Sequence, residues 1–321
     1  MKAVAYLDLL GFSNAVIRDI EEALSMLKSY NNILQISLFE SIINPSGNYS
    51  ADLQDLARRN SIESFDDFLP FSDSIFITSE NCSDLLLQMG GFLEKSFHFT
   101  SHIYASPEDA QDLMAYHNIG MVDDGTGGFK AVDIPCRVPP TLFRGGVAYG
   151  DVEIIMPIGI RNKAKIRSCT LFGGAVVQAV GLEKIVKGPR IVFSKEVYSK
   201  LDQRTKLYSR LLPEDKNYYE LLWPGMGYIL ENRSTFQNEF SHFYDMFTPA
   251  YNLWLFYKDE KEVGVHYERF LELIVTSAIT IYSYVGMMDY VLEQIEKVIA
   301  GKFNETERTK IFGNFNAFER S

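Results

Sequence analysis

The sequence predicts an α+β fold followed by a helical C-terminal region. Over residues 1–215, short stretches rich in β-forming residues alternate with amphipathic segments, and glycine-containing turns separate them. From about residue 216 the pattern changes to two long, aromatic-rich segments with helical spacing. We therefore divide the chain into an α+β domain over 1–215 and a helical region over 216–321.

The residue patterns place the elements of the first region in order. The stretch MKAVAYLDLLGF predicts a strand that ends at Gly11, and Ser13 or Asn14 is the expected N-cap of the helix that follows. DFLPFSDSIFIT predicts a hairpin or a second strand, and CSDLLLQMGGFLEKSF predicts a helix. Residues 105–140 have the Gly, Asp and Pro content of a surface loop or flap. LFRGGVAYGDVEII and GPRIVFS predict strands, and CTLFGGAVVQAVGLEKIV predicts a short strand that enters a helix.

The helical region contains an uncharged stretch long enough to raise the question of a membrane span. Its sixteen residues, LIVTSAITIYSYVGMM (273–288), include two threonines, two serines and two tyrosines. Because this is short and polar for a span, we predict a buried helix and no stable membrane insertion. Gly264 is expected to separate this helix from the preceding one, which Pro249 is expected to kink.

Composition excludes some classes of partner. The 321 residues include 42 acidic and 31 basic side chains, which gives a net charge of −11. Because a sequence-independent grip on nucleic acid is built from clustered Lys and Arg, we predict no nucleic-acid partner. The three cysteines are widely spaced and odd in number, which favours a reduced, cytoplasmic location over a disulfide framework. The N-terminus lacks the long apolar segment of a secretory signal.

Two aspartates lie within otherwise apolar predicted strands. Asp8 interrupts AYLDLLGF, and Asp73 interrupts FSDSIFIT. Asp8 alone is also consistent with the wet face of a strand or with a helix cap. An isolated buried carboxylate is costly, however, so such groups are normally paired, hydrogen-bonded or bound to metal. Two of them on adjacent strands would form a hard oxygen site suited to Mg²⁺ or Mn²⁺.

The turn after Asp8 strengthens this interpretation. The chain passes through Leu9, Leu10 and Gly11 into the predicted helix, and a glycine turn at a helix N-terminus presents backbone N–H groups to an anion. A triphosphate placed there would have its metal ions held by Asp8 and Asp73. The two halves together describe a two-metal nucleoside triphosphate site.

Four stretches together carry a family resemblance. They are YLDLLGFS, FSDSIFI, RGGVAYGDV and LFGGAVVQAVGLE, and they follow one another between about residues 4 and 195. Their order and spacing resemble the signatures of the class III nucleotidyl cyclases. The combination with GPRIVFS looks most like the pyrimidine cyclases of bacterial antiphage (Pycsar) signalling. The resemblance implies a ferredoxin-like βαββαβ core with an antiparallel sheet, in a cyclase catalytic domain over 1–215.

The resemblance also implies roles for particular residues. Asp8 and Asp73 match the two metal aspartates, and Leu9 matches the position that offers its backbone carbonyl to a metal. The turn that holds the phosphates corresponds to residues Gly11, Phe12 and Ser13. Two Mg²⁺ or Mn²⁺ ions per site are implied. So is a homodimer with composite active sites, because this family builds its site between two like domains and the chain contains one; the helical region is a candidate for dimerisation or sensing.

The sequence departs from the family pattern at the transition-state residues. Alignment on Leu182 and Glu183 places Val177 and Gly181 where other members carry Asn and Arg. The adjacent Gln178 is a candidate catalytic substitute or a solvated helix-face residue. Arg144 is a candidate phosphate contact or a surface cation at a strand end.

The residues around Asp73 bear on the choice of base. No Lys occupies the purine-selecting position before Asp73, and Phe71 is either a lining residue for another base or a core residue. The predicted function is therefore cyclisation of a nucleoside triphosphate, with UTP or CTP favoured, to a 3′,5′-cyclic monophosphate and pyrophosphate in antiphage signalling. The alternatives are an inactive cyclase-like nucleotide-binding or regulatory protein, and an adenylate or guanylate cyclase.

Overall fold

The structure is a computed structural model. It describes residues 1–18, 20–39, 54, 58–59, 61–104, 106, 117–123, 129–135, 140–156, 158–161, 164–167, 169–228 and 240–313.

The described strands are β1 (Lys2–Leu9), β2 (Asp67–Phe71), β3 (Ser74–Ser79), β4 (His117–Asp123), β5 (Phe129–Pro135), β6 (Phe143–Gly150), β7 (Glu153–Ile155), β8 (Ile158–Arg161), β9 (Ala164–Arg167), β10 (Thr170–Phe172), β11 (Ile191–Ser194), β12 (Ser209–Leu211) and β13 (Tyr218–Leu221). The described α-helices are α1 (Phe12–Arg18), α2 (Ile20–Phe39), α3 (Cys82–Ser101), α4 (Gly174–Glu183), α5 (Lys195–Ser199), α6 (Gln203–Lys206), α7 (Ser241–Tyr257), α8 (Lys261–Tyr284), α9 (Met288–Ala300) and α10 (Glu305–Phe312). Short 3₁₀ helices span His102–Tyr104 and Trp223–Gly225.

The central sheet has seven strands in the order β12-β13-β11-β6-β1-β3-β2. Within it, β1 is antiparallel to both β3 and β6, and β2 is antiparallel to β3. Helices α1 and α2 connect β1 to β2, and α3 follows β3 before the chain reaches β6. This is the antiparallel ferredoxin-like βαββαβ arrangement, so the predicted α+β fold class is confirmed. Strand β11 extends the sheet in parallel with β6.

The two faces of the sheet have different coverings. Because side chains alternate along a strand, Ala3, Ala5 and Leu7 of β1 point to one face and join a large core that includes residues of α2, α3 and α8. Val4 points to the other face and packs in a smaller cluster with residues of α4. Asp8 has the same parity as Val4. The alternation therefore places Asp8 on the α4 face.

The C-terminal helices pack into the large core of the sheet. The Phe270 ring on α8 lies 4.7 Å from that of Phe97 on α3 and 5.2 Å from that of Trp223, between ring centroids. Asn252 on α7 donates a hydrogen bond of 2.9 Å to the carbonyl oxygen of Tyr104. Strand β13 joins the sheet just beyond residue 215. The division into a catalytic domain over 1–215 and a helical dimerisation or sensing region over 216–321 remains a prediction about what each part of the chain does.

Helix α8 includes most of the uncharged stretch, and its residues from Leu273 to Ala278 are buried, as predicted. Among the residues that the structure describes, none of the helices combines the length and apolar character that crossing a bilayer requires. Gly264 lies in the first turn of α8, so its predicted place between the helices is wrong. Helix α7 continues through Pro249.

Two other local predictions are wrong. Helix α1 begins at Phe12, which places Ser13 and Asn14 inside its first turn and not at the N-cap. Part of the predicted loop over 105–140 forms an antiparallel pair, β4 with β5. These strands flank the glycine-rich sequence 124–128, a composition that suits a hairpin connection as well as a loop. Residues 105, 107–116, 124–128 and 136–139 of that prediction lie outside the described residues.

Candidate active site

Asp8 lies in a row of polar residues that crosses three strands. The sheet register pairs Asp8 with Ser74 on β3 and with Arg144 on β6. Directly opposed residues on neighbouring strands project to the same face, so all three side chains point toward α4. The register therefore brings Arg144, a predicted catalytic residue, next to Asp8, a predicted metal ligand.

Hydrogen bonds and charges fix the Asp8 carboxylate from both sides. The Ser74 hydroxyl donates to Asp8 Oδ1 over 3.3 Å, and Ser74 Oγ also shares a 2.9 Å hydrogen bond with the Tyr6 hydroxyl. On the other side, Arg144 Nη2 lies 3.7 Å from Asp8 Oδ2. The Asp8 side chain remains about a quarter exposed, at 25%. The carboxylate is thus oriented by its neighbours and still open to a ligand.

Glu183, the last residue of α4, adds a second carboxylate to this group. Only 4% of Glu183 is exposed, and its carboxylate forms an ion pair with Arg144. The sequence analysis gave Glu183 no role. A usable signal was present, because Ala175, Ala179 and Leu182 mark the buried stripe of this helix and Glu183 continues it with helical spacing.

The electrostatics of the group are dominated by negative charge. Burial raises the pKa of Asp8 to about 6, and the nearby charges of Glu183 and Asp73 add to the increase. Arg144 and the Ser74 hydrogen bond act in the opposite direction and only partly compensate. Asp8 is therefore a carboxylate that a positive charge would stabilise in its ionised form.

Asp73 lies in the two-residue turn between β2 and β3 and not inside a strand, which corrects the prediction. The preceding Ser72 has a φ of +60°, a value that matches the tight turns joining hairpin strands. The backbone N–H of Leu9 donates a 3.0 Å hydrogen bond to the Asp73 carbonyl oxygen. This bond holds the turn at the end of β1. Together with the charge effect on Asp8, it places the two predicted metal aspartates close to each other.

The glycine turn, Leu10–Gly11, directly follows β1 and leads into α1. Gly11 has a φ of +84°, in the left-handed region that favours glycine, and its carbonyl oxygen accepts a 2.9 Å hydrogen bond from the N–H of Ala15. Leu9 and Phe12 are buried, whereas Ser13 is exposed. The turn thus anchors its apolar residues in the core and leaves a polar side chain at the surface.

Two other predicted site residues are exposed. Phe71 is the sheet partner of Ser74, so it projects to the same face as Asp8. Phe71 is 70% exposed, so the alternative that it belongs to the core is wrong. Gln178 is exposed on α4. Within the described parts of the chain, no hydrogen bond joins Gln178 to Asp8 or Arg144. Its catalytic role remains a prediction.

The residues present fit a divalent cation. Asp8 and Asp73 offer hard carboxylate oxygens, which Mg²⁺ and Mn²⁺ prefer. Burial, and after it the charges of Glu183 and Asp73, raises the pKa of Asp8, and a bound cation would offset both effects. In the described ranges, no three His, Cys, Asp or Glu side chains are placed as a ligand set. Magnesium sites are typically built from one or two carboxylates together with oxygens of the substrate phosphates.

Comparisons with known proteins return solved structures but no sequence family. No protein-family model and no curated protein sequence matches the chain. One similar structure is the guanylyl cyclase Cya2, with 14% identity and a TM-score of 0.34 over 68% of this chain and 89% of the other. A structure of adenylate cyclases from Trypanosoma brucei in their monomeric state has 10% identity and a TM-score of 0.35, over 69% of this chain and 89% of the other. The adenylyl cyclase CyaB from P. aeruginosa has 13% identity and a TM-score of 0.33, over 68% of this chain and 92% of the other.

Proposed function

We propose that the protein is a nucleotidyl cyclase that converts a nucleoside triphosphate to a 3′,5′-cyclic monophosphate and pyrophosphate. The observation that carries the proposal is the position of Asp73 at the end of β1, beside the raised-pKa carboxylate of Asp8 and the glycine turn. Arg144 compensates only part of the negative charge of Asp8, Asp73 and Glu183, and a bound cation would supply the rest of the balance.

The reaction joins the ribose 3′-oxygen to the α-phosphorus while the bond from that phosphorus to the leaving pyrophosphate breaks. Mg²⁺ or Mn²⁺ ions held by Asp8, Asp73 and the Leu9 carbonyl would lower the pKa of the 3′-hydroxyl and neutralise phosphate charge. Ser74 orients the Asp8 carboxylate through its hydroxyl. Arg144, held by Glu183, is a fixed cation beside the site that can balance charge on the substrate's phosphates.

We further propose UTP or CTP as the substrate and antiphage signalling in the cytoplasm as the context. The support is the motif resemblance to the Pycsar cyclases and the lack of a Lys at the purine-selecting position before Asp73. The exposed ring of Phe71, two residues from Asp73, is available to contact a base. ATP or GTP is the alternative substrate.

A homodimer with composite sites completes the proposal. Its support is the family resemblance together with exposed apolar side chains on the α4 side of the sheet: Val177 is 74% exposed, Phe172 50% and Ile155 49%. Val177→Asp would place a charge in such an interface. Sedimentation equilibrium is expected to show a dimer for the wild type and a shift toward monomer for this variant. A wild type that stays monomeric under assay conditions contradicts composite sites.

The test of activity is incubation of the purified chain with each of the four nucleoside triphosphates and Mn²⁺, followed by chromatography of the products. A cyclic mononucleotide is expected from the wild type, and none from Asp8→Asn or Asp73→Asn. The rival function, an inactive nucleotide-binding protein, is suggested by the missing Asn and Arg pair. It predicts no product from any triphosphate, together with nucleotide binding that neither substitution affects.

A further inference from the structure

A cavity of about 550 Å³ lies between the turn that follows β1 and the corner where α7 meets α8. One wall contains Leu10, Gly11 and Asn14, and the other contains residues of the α7–α8 corner, including Lys261 and His266. Asp8 and Asp73 are not among its lining residues. The volume lies within the range of small-molecule sites, and the cavity touches the same turn that borders the proposed catalytic group.

The charged groups of this cavity suit a ligand with a small negative charge. Lys187 and Lys261 both line it, and no carboxylate in the described part of the chain forms a salt bridge with either ammonium group. Glu260 and Glu262 also contribute to the lining. Because two lysines and two glutamates line the cavity, a triphosphate with several negative charges would be repelled by the glutamates. A ligand with a single negative charge beside the lysines would meet less of this repulsion.

The histidine of the cavity is a neutral hydrogen-bond donor. The backbone N–H of Gly188 donates to His266 Nδ1 over 3.0 Å, so Nδ1 carries no proton and the neutral ring holds its proton on Nε2. Burial, together with the charges of Arg144 and Lys187, lowers the pKa of His266 to about 4. At neutral pH the ring therefore offers an Nε2–H group to an acceptor.

The remaining lining suits a planar or apolar body. Tyr257 and Tyr267 both line the cavity, with their rings 5.5 Å apart between centroids and 5° from parallel. Met26, Leu142 and Val263 add apolar surface. Aromatic and apolar walls with a few directed polar groups are typical of sites for small organic ligands.

We propose that this cavity binds a 3′,5′-cyclic mononucleotide, at a site that shares Gly11 with the turn of the proposed catalytic site but includes neither Asp8 nor Asp73. Such a molecule has a planar base and a single negative charge, which match the aromatic wall and the two lysines. This identity rests on the proposed function, because cyclic mononucleotides are the products of the proposed reaction. Since the ligand would contact Gly11, its binding would act directly on the conformation of the turn in the proposed catalytic site.

The test is calorimetric titration of the full chain with the 3′,5′-cyclic forms of UMP, CMP, AMP and GMP in EDTA, which removes divalent cations from the catalytic group. At least one is expected to bind with one site per chain. Lys187→Gln and Lys261→Gln are each expected to weaken that binding about 10-fold, because a charge-assisted hydrogen bond is lost. Lys184→Gln is the matched control, since Lys184 is an exposed lysine three residues before Lys187 that does not line the cavity.

Three outcomes overturn the proposal. The first is that none of the four cyclic nucleotides binds with a Kd below about 1 mM. The second is that Lys187→Gln and Lys261→Gln leave the affinity unchanged, and the third is that Asp8→Asn abolishes binding. The third would place the ligand in the catalytic site. Failure of the proposed function is a separate result. A chain that forms no cyclic product but binds a cyclic mononucleotide through Lys187 and Lys261 keeps this cavity as a ligand site without the reaction.

Discussion

At the scale of single residues, Asp8 is a carboxylate whose folded environment opposes its charge. Its pKa rises from 3.8 to about 6 on folding, so protonation of Asp8 is favoured in the native state. Protonated Asp8 therefore contributes its full share to the free energy of unfolding below about pH 4, and this share is lost as the pH rises through about 6. At neutral pH the ionised Asp8 therefore costs stability when no cation is bound, because the unfolded chain carries the same charge in water.

Asp8→Asn is expected to stabilise the protein in EDTA while it abolishes cyclisation. The free energy of unfolding at pH 7.5 should rise by about 1–3 kcal/mol, since the substitution removes a penalised charge and keeps the side-chain shape. Urea unfolding of both proteins at pH 7.5 and pH 4 measures the effect, and the gain should disappear at pH 4. A variant that is less stable than the wild type at pH 7.5 would contradict this account of Asp8.

Glu183 is a positioning residue in the same group. Glu183→Gln removes one of the charges that raise the pKa of Asp8 and leaves Arg144 with a weaker partner. We expect the acid limb of the kcat/KM profile to shift to lower pH and kcat to fall. Exposed Glu196→Gln is the control, with an unchanged profile. A loss of kcat without any movement of the acid limb would assign Glu183 to the support of the fold alone.

At the scale of elements, a buried ionic group joins the last strands of the sheet to α8. Glu220 on β13 is fully buried and accepts a 2.5 Å hydrogen bond from Arg190 Nε as well as a bond from Arg210. Arg210 also donates a 3.1 Å hydrogen bond to Thr276 on α8. Burial of such charges is tolerated only while each has its partner.

Glu220→Gln is expected to lower the free energy of unfolding by about 3 kcal/mol, because it removes the charge of a fully buried carboxylate that accepts hydrogen bonds from the buried Arg190 and the partly buried Arg210. The two arginines then keep only the more exposed carboxylates of Glu214 and Glu272 as counter-charges. Glu214→Gln is the matched control, since Glu214 pairs with the same Arg190 but is 45% exposed. Its effect should be below about 1 kcal/mol. Chemical unfolding of the three proteins provides the comparison, and equal losses for both variants would contradict the assigned importance of burial.

The sequence predicts these elements better than it predicts their contacts. Alternation and the glycine turn give β1 and the helix after it, and two aspartates near strand ends are enough to suggest a shared site. The position of Asp73 in a turn depends on hairpin pairing, which a short stretch of β-formers does not fix. The contact of Arg144 with Glu183 depends on how α4 packs across the sheet. No local pattern encodes that distance, and the same holds for the walls of the cavity.

At the scale of the whole molecule, the sheet and the C-terminal helices share one hydrophobic core. Phe270→Ala removes a fully buried ring that contacts both Phe97 and Trp223. It is expected to cost about 3–5 kcal/mol. Because the core is shared, tryptophan fluorescence and far-UV circular dichroism should report one coincident unfolding transition in both proteins. Separate transitions would mean that the helical region folds as an independent unit.

The two faces of the central sheet carry different kinds of residue. The face toward α8 carries the large core, whereas the face toward α4 carries the charged group of the proposed reaction. Substitutions in the core toward α8 are therefore expected to change folding stability, and substitutions beside α4 to change activity. The exception is the turn after β1, whose Leu9 and Phe12 lie in the large core. For laboratory evolution, this arrangement recommends separate libraries for the two sides of the sheet, with the residues of that turn held constant.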